Sequence, residues 1–402
     1  MNLISEGAGQ NLNRIAILTF KSPLSVQGGL DLRIMGIAKA LSLSSEVHII
    51  PIFGESKKED IESNIKLTEG SGLVNPQNHE VLRWIKENPG DPYGILSIPE
   101  TRKFVLEKLV NISPTHIIAQ RLTCWRILRD IDLPGKCTEI LDLDESARRL
   151  HESFSLKALN DVAWKFHAEF QRHVAIYEEK VLKDPSAFLV SSSIEAETVN
   201  SITNRPELTF CIENVVVDDR THPDPAIELK TKKMSRILFP ANFAYPPNRA
   251  ALDEIVQKIA PALPNMEFRI VGSNLGVKTE WLNSNISFES PIISMDEEFK
   301  NSDFLIAPLR WGAGTRIKVL EAMKFGLPVI ATKFAVEGLG LVPNIHYVPA
   351  ESPEEFIMAI NLLSNDIDFV KKLIINAEHL VRESFTVKMI HPKLKKALAS
   401  GN

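Results

Sequence analysis

The sequence lacks any apolar run approaching the roughly 20 residues needed to span a bilayer, which excludes a transmembrane helix. It has only three cysteines, Cys124, Cys137 and Cys211, scattered and odd in number. That excludes a disulfide framework and zinc-ligand spacing, and fits a reducing compartment. Charge of one sign is also missing: 46 basic and 51 acidic residues leave a net charge of −5, so nucleic acid is not expected as a partner. Met1–Asn13 is polar, without the apolar segment of a signal peptide. A soluble, cytoplasmic protein is expected, with peripheral membrane contact left open. No Gly-x-Gly-x-x-Gly occurs, and His167 and His173 are not at a ligand-pair spacing. No catalytic histidine or carboxylate pair stands out.

What is present is alternation. At 402 residues the chain exceeds one ordinary core, so two domains are expected. Apolar runs at Arg14–Phe20, Val47–Ile52, His116–Ala119, Thr138–Leu143 and Ala187–Ser191 read as buried parallel strands. Helical spacing separates them, beginning with Leu30–Leu41, where Arg33 and Lys39 fall on the polar side. Gly28 and Gly29 lie in the first crossover turn, where doubly wound sheets bind phosphates; an ordinary turn is the plain alternative. Lys57–Pro99 is polar and gives no clear order. Leu156–Leu182 reads as a long helix whose aromatics pack against another helix.

Asp142-Leu-Asp144-Glu145-Ser146 invites a metal reading, since paired carboxylates bind hard cations. Asp144 or Ser146 as cap of the next helix, with Arg148 and Arg149 on its surface, explains it better. A role for Asp144 and Glu145 on the acceptor side of a crevice stays open. Asp218–Lys233, charged and proline-containing, reads as the linker. Alternation then restarts at Ile237–Pro240, with Asn248 as cap of a helix over Arg249–Ala260, then strands at Met266–Val271 (ending at Gly272), Ile286–Phe288 and Ile345–Val348. The result is α/β: two doubly wound, Rossmann-like domains facing across a cleft. Residues 1–225 form the first, 226–380 the second, and 381–402 a helix returning to the first.

The stretch from Pro308 to Leu339 is the most informative. Strand Phe304–Pro308 leads to Gly312-Ala313-Gly314, then Thr315 as N-cap of a helix that ends at Gly326 and Pro328. A Gly-rich turn opening a helix presents free N–H groups and about half a positive charge. Arg316 and Lys318 add cations, and Glu321 lies near the Lys318 face. Together these suit a diphosphate and a ribose diol. The plain alternative is a solvated row of Lys318, Glu321 and Lys324; the Gly turn and the apolar residues around Glu321 favour the binding reading.

These residues resemble the retaining GT-B glycosyltransferases of family 4. The resemblance rests on Pro-Leu-Arg, Gly-Ala-Gly-Thr-Arg-Ile-Lys, Leu-Glu-Ala-Met, Gly-Leu-Pro-Val-Ile and Glu-Gly-Leu within 308–339. Tyr-Pro-Pro-Asn at 245–248, Arg269–Gly272, Gly28–Gly29, Arg33 and Leu141–Ser146 add to it. It implies a nucleotide-diphosphate sugar as donor and co-substrate; the acceptor, a glycan, lipid-linked glycan or small molecule, stays open, and no metal cofactor is expected because no carboxylate cluster stands beside the cations. Glu321 matches the family glutamate that holds the ribose. The family's earlier glutamate is replaced by Ala313, and its usual Arg and Lys are replaced by the Phe243–Asn248 loop. Arg316 and Lys318 are then the expected catalytic cations. Gly28, Gly29, Asn248, Gly272, Gly312, Ala313, Gly314, Thr315 and Glu321 are the expected donor-side residues. A non-catalytic GT-B binding subunit, or a nucleotide-sugar epimerase or hydrolase, are the alternatives.

Overall fold

The computed structural model describes residues 13–24, 29–158, 162–216, 234–276, 284–290 and 292–400. Gly28, the linker expected at Asp218–Lys233 and the domain boundary expected at 225/226 lie outside these residues.

The first half runs β1 (Asn13–Thr19), α1 (Gly29–Leu41), β2 (Ser45–Pro51), β3 (Glu59–Glu62), β4 (Ile65–Leu67), α2 (Asn78–Glu87), α3 (Pro99–Ile112), β5 (His116–Gln120) and α4 (Arg121–Leu128). It continues through β6 (Thr138–Asp144), α5 (Ala147–Ala158), α6 (Val162–Val181), β7 (Ala187–Val190), α7 (Ser193–Thr203) and β8 (Thr209–Cys211). Among the described residues its strands lie in the order β3-β4-β2-β1-β5-β6-β7-β8, with only the β3–β4 pair antiparallel. Ile15 and Ile17 on one face and Ala16 and Leu18 on the other enter separate apolar clusters, as expected when helices cover both sides of a parallel sheet.

The second half runs β9 (Arg236–Asn242), α8 (Pro246–Glu254), β10 (Glu267–Ser273), β11 (Ile286–Glu289), α9 (Met295–Lys300), β12 (Phe304–Ala307), α10 (Ile317–Lys324), β13 (Val329–Ala331) and β14 (Val348–Pro349). Then come α11 (Pro353–Asn365), α12 (Ile367–Ser384) and α13 (Val387–Ala399). This sheet is parallel, in the order β11-β10-β9-β12-β13-β14. α12 packs in the second core, whereas Ile390 and Leu394 of α13 join the first, beside α1. No helix among the described residues is long and apolar enough to cross a membrane.

In each sheet the order reverses at one place, between β1 and β5 and between β9 and β12. Ligands of open α/β sheets bind outside the carboxyl ends of strands at such a reversal. The loops there are the β1–α1 and β5–α4 connections in one domain, and Phe243–Tyr245 and Pro308–Arg316 in the other.

Several local expectations are corrected. Arg33 is not on a polar face: it is 1% exposed, bound to Asp142 at 2.6 Å, and also donates to the Ile212 carbonyl and Asn214. Leu156–Leu182 is two helices, α5 and α6, and the polar stretch 57–99 holds β3, β4 and α2. The strand expected at Ile345–Val348 shrinks to Val348–Pro349.

Candidate active site

The turn after β12 is shaped by two glycines in the left-handed region, Gly312 (φ +128°) and Gly314 (φ +76°). A Cβ on Gly312 would come within 2.7 Å of the Tyr245 hydroxyl, and one on Gly314 within 2.6 Å of Glu145 Oε2. Both neighbours come from other loops, and Glu145 comes from the opposite domain. The Gly312 N–H donates to Ser153 Oγ at 2.6 Å and the Ala313 N–H to Tyr245 Oη at 3.3 Å. Phe154 meets Trp311 edge-on at 5.2 Å, so α5 of the first domain lies on the turn of the second.

The helix beyond the turn starts later than expected. Its N-cap is Arg316, not Thr315, because the Gly314–Thr315 backbone is still turning into the helix. Thr315 Oγ1 is buried without a hydrogen-bond partner. The C-terminus is a Schellman motif: Gly326 (φ +70°) donates to Met323 and Leu327 to Ala322, satisfying the last carbonyls.

Arg316 is 8% exposed. Its Nη1 donates to the Gly314 carbonyl at 2.7 Å, and its guanidinium lies 3.8 Å from the centre of the Phe334 ring. Its Nη2 is buried with no partner. Burial lowers its pKa, and no carboxylate forms an ion pair with it among the described residues. Lys318 is similar. Its Nζ donates to Asn248 Oδ1 at 3.1 Å and sits 4.9 Å from the centre of the Phe239 ring. Burial, with Arg316 next to it, pushes its pKa down to about 7. Because Lys318 reaches Asn248 and not Glu321, the solvated ion-pair row does not form. Glu321 is pushed up to about 7, chiefly by burial, with Lys324 opposing.

Asn248 does not cap its helix. α8 begins at Pro246, and the Asn248 amide instead donates to the Asn242 carbonyl at 2.8 Å while accepting from Lys318. Gly272 ends near the same loop, where a Cβ would stand 1.7 Å from the Ala241 carbonyl oxygen. Gly29 opens α1 against Ile317, 2.9 Å from where its Cβ would be, so the amino ends of α1 and α10 adjoin.

On the first-domain side the Asp-x-Asp pair is taken up by arginines. Asp142 holds Arg33, and Asp144 Oδ2 accepts from Arg121 Nη2 at 3.0 Å. Glu145 Oε1 also pairs with Arg121 at 3.0 Å. Among the described residues no His, Cys, Asp and Glu group is arranged to hold a metal. Neither Asp144 nor Ser146 caps α5. The Glu178 carboxylate does, accepting from the Ala147 and Arg148 N–H groups at 2.8 and 3.0 Å and from Ser146 Oγ at 3.0 Å. Glu195 accepts from the Ser146 N–H at 2.7 Å. Burial pushes Glu178 up to about 7 against those hydrogen bonds. Arg149 is not a surface residue: it bridges Glu195 and, across the cleft, Glu337, each at 2.7 Å.

The structure thus gathers Gly312, Ala313, Gly314, Thr315, Arg316, Lys318, Glu321 and Asn248 around one helix terminus, with Gly29, Asp144 and Glu145 facing them. Arg121, Arg149, Ser153, Tyr245 and Glu337 join them unforeseen. Tyr245 had a signal, in the Tyr-Pro-Pro-Asn loop after β9; Ser153 and Arg149 had none, since only the domain packing brings them in.

The family model described as "Glycosyl transferases group 1" matches residues 235–366. The match covers about a third of the chain. The matched segment holds the glycine turn, Arg316, Lys318 and Glu321. Similar solved structures include sucrose-phosphate synthase from Thermosynechococcus elongatus, with 13% identity and a TM-score of 0.72 over 96% of this chain and 98% of that one. WaaG, a glycosyltransferase involved in lipopolysaccharide biosynthesis, has 13% identity and a TM-score of 0.64 over 95% and 98%. Anabaena HepE in complex with UDP and glucose has 14% identity and a TM-score of 0.64 over 96% and 100%. The two facing sheets are therefore a GT-B fold. A Klebsiella pneumoniae protein described as an uncharacterized 44.6 kDa protein in the cps region is 26% identical over 174 residues, 40% of this chain. That match spans 45% of the relative's length.

Proposed function

We propose that this protein transfers a sugar from a nucleotide-diphosphate sugar to an acceptor hydroxyl, with retention and without a divalent metal. One observation carries the reading: the buried Arg316 and the partly buried Lys318 lie together at a helix N-terminus without a carboxylate ion pair among the described residues, and Arg316 Nη2 has no hydrogen-bond partner there. A buried cation lacking a counter-charge is costly, and an anion entering there removes the cost. A diphosphate supplies it. Glu321, on the next turn of α10, is the group to accept from the ribose hydroxyls.

The sugar–phosphate bond breaks with positive charge growing on the sugar and negative charge on the departing phosphate. Fixed donors aimed at that phosphate lower the barrier most, and Arg316, Lys318 and the α10 terminus are such donors. They take the part a metal would otherwise play, while Asp142 and Asp144 are occupied by Arg33 and Arg121. The leaving phosphate can accept the acceptor's proton on the face it leaves from, which gives retention without a protein base. The α5–turn contact excludes water from the turn and limits hydrolysis. HepE's complexes with UDP and with UDP-glucose, WaaG's part in lipopolysaccharide biosynthesis and the cps-region relative support a nucleotide sugar and a role in polysaccharide or glycoconjugate biosynthesis. The free cysteines support a cytoplasmic location.

The test is calorimetry with UDP, GDP, ADP and dTDP, their sugars, and the parent nucleosides. A diphosphate should bind far more tightly than its nucleoside, and Lys318→Ala should abolish that difference. Arg316→Ala should lower turnover more than donor affinity, because a phosphate acquires its extra charge only as the bond breaks. Equal binding of nucleoside and diphosphate by the parent protein would refute the reading.

A further inference from the structure

Glu145 lies where a substrate-reading carboxylate would be useful, although it belongs to the other domain. It follows β6, yet its Oε2 stands 2.6 Å from the position of a Cβ on Gly314. Oε1 is fixed by Arg121 Nη2 at 3.0 Å, while Oε2 accepts no hydrogen bond among the described residues. The support under it is unusual. Arg121 (φ +59°) and Asp144 (φ +60°) are both non-glycine residues in the left-handed region, at the carboxyl ends of the paired strands β5 and β6. Such conformations persist where the surroundings over-determine them, and they cluster at ligand sites. Here the Arg121–Asp144 bond at 3.0 Å ties the two together and aims Glu145 across the cleft.

Glu145 is also close enough to Arg316 for their charges to interact, each favouring the other's ionised form. In a nucleotide-diphosphate sugar one oxygen links the ring to the terminal phosphorus. A sugar whose phosphate meets Arg316 therefore begins within reach of a group beside both Arg316 and Gly314. The turn itself offers the sugar no polar side chain, since it is built of Gly312, Ala313 and Gly314.

We propose that Glu145 accepts hydrogen bonds from ring hydroxyls of the donor sugar, so that the first domain reads the sugar while the second holds the nucleotide. Arg121 is the positioning residue, and Glu145 serves the donor rather than the acceptor. The inference rests on the donor reading above and adds the residue that selects the sugar.

Binding of a nucleoside diphosphate and of its sugar, chosen as the pair the parent protein binds among the UDP, GDP, ADP and dTDP series, separates the possibilities. Glu145→Ala should bind the diphosphate within about twofold of the parent but the diphospho-sugar roughly tenfold or more weakly, the range of a lost charged hydrogen bond. Glu145→Gln, which keeps the size of the side chain, should show the same direction with a smaller loss, and it stands in should the Ala variant fold poorly. An unchanged ratio of the two affinities in a folded variant, whichever way both move, overturns the proposal and leaves Glu145 as a cleft spacer or an acceptor residue. A parent protein that binds no diphosphate is a different result, and sinks the donor reading itself.

Discussion

Lys318→Met should make the empty protein more stable and the enzyme worse. The lysine's pKa falls from 10.5 to about 7 on folding. At about 1.36 kcal/mol per unit that is a cost of roughly 4–5 kcal/mol for keeping the charge in the folded state. This is an upper bound, because methionine also removes a π contact worth about 1 kcal/mol and strands Asn248 Oδ1 at a cost of about 1–3 kcal/mol. A net gain of about 0–3 kcal/mol remains, at about 2–4 °C per kcal/mol for a domain of this size. The pH sign is fixed. Below pH 7 both folded and unfolded chains hold the proton and the full cost stands. Between about 7 and 10.5 the folded chain gives the proton up first, so parent stability rises with pH and the advantage of the variant fades. Donor binding moves the other way. Loss of one charged hydrogen bond costs about 1.5–3 kcal/mol, roughly ten- to a hundredfold in affinity. Parent affinity for the diphosphate should also weaken as pH rises above about 7, a dependence that the variant lacks. The assays are thermal melts at pH 6 and 9 and calorimetry with the diphosphate. A variant that melts lower at pH 6 and still binds the diphosphate like the parent would refute the reasoning.

Glu321→Gln should weaken donor binding by roughly ten- to a hundredfold without lowering the melting temperature. Its pKa is raised to about 7, so the charged form costs stability fully above pH 7, and the variant should melt higher than the parent at pH 8; a lower melt with unchanged donor affinity would make Glu321 structural. Turnover on a working acceptor should survive EDTA. Loss of activity that manganese restores would return Asp142 and Asp144 to consideration as metal ligands.

The parallel strands were legible because strands buried on both faces read as apolar runs, and the 308–339 block because its turn chemistry is local. β3 escaped notice because Glu59–Glu62 is a polar edge strand with a register shift, which carries no hydrophobic pattern. Arg33 was misjudged because a helical period assigns it to a polar face, while its partner Asp142 lies 109 residues away. The caps expected at Asn248 and at Asp144 or Ser146 failed for a related reason. Cap preferences describe isolated helix ends, whereas α5 takes its cap from Glu178 on another helix, and Asn248 is claimed by Lys318. The second-domain half of the candidate site was therefore readable from one segment, and the half supplied by α5, β5 and β6 was not.

The two sides of the cleft differ in how their charges are settled, and the difference assigns their roles. In the first domain four carboxylates are paired with arginines: Asp142 with Arg33, Asp144 and Glu145 with Arg121, Glu195 with Arg149. Most of the negative charge on that side is balanced by arginine. In the second domain the order is reversed, with Arg316 and Lys318 held by carbonyl, amide and ring faces. Neutral partners orient a cation but leave its charge unspent. On the proposed donor reading the anion enters there, and the arginine-pinned Glu145, with one oxygen left over, is the part of the first domain that would meet what that anion carries.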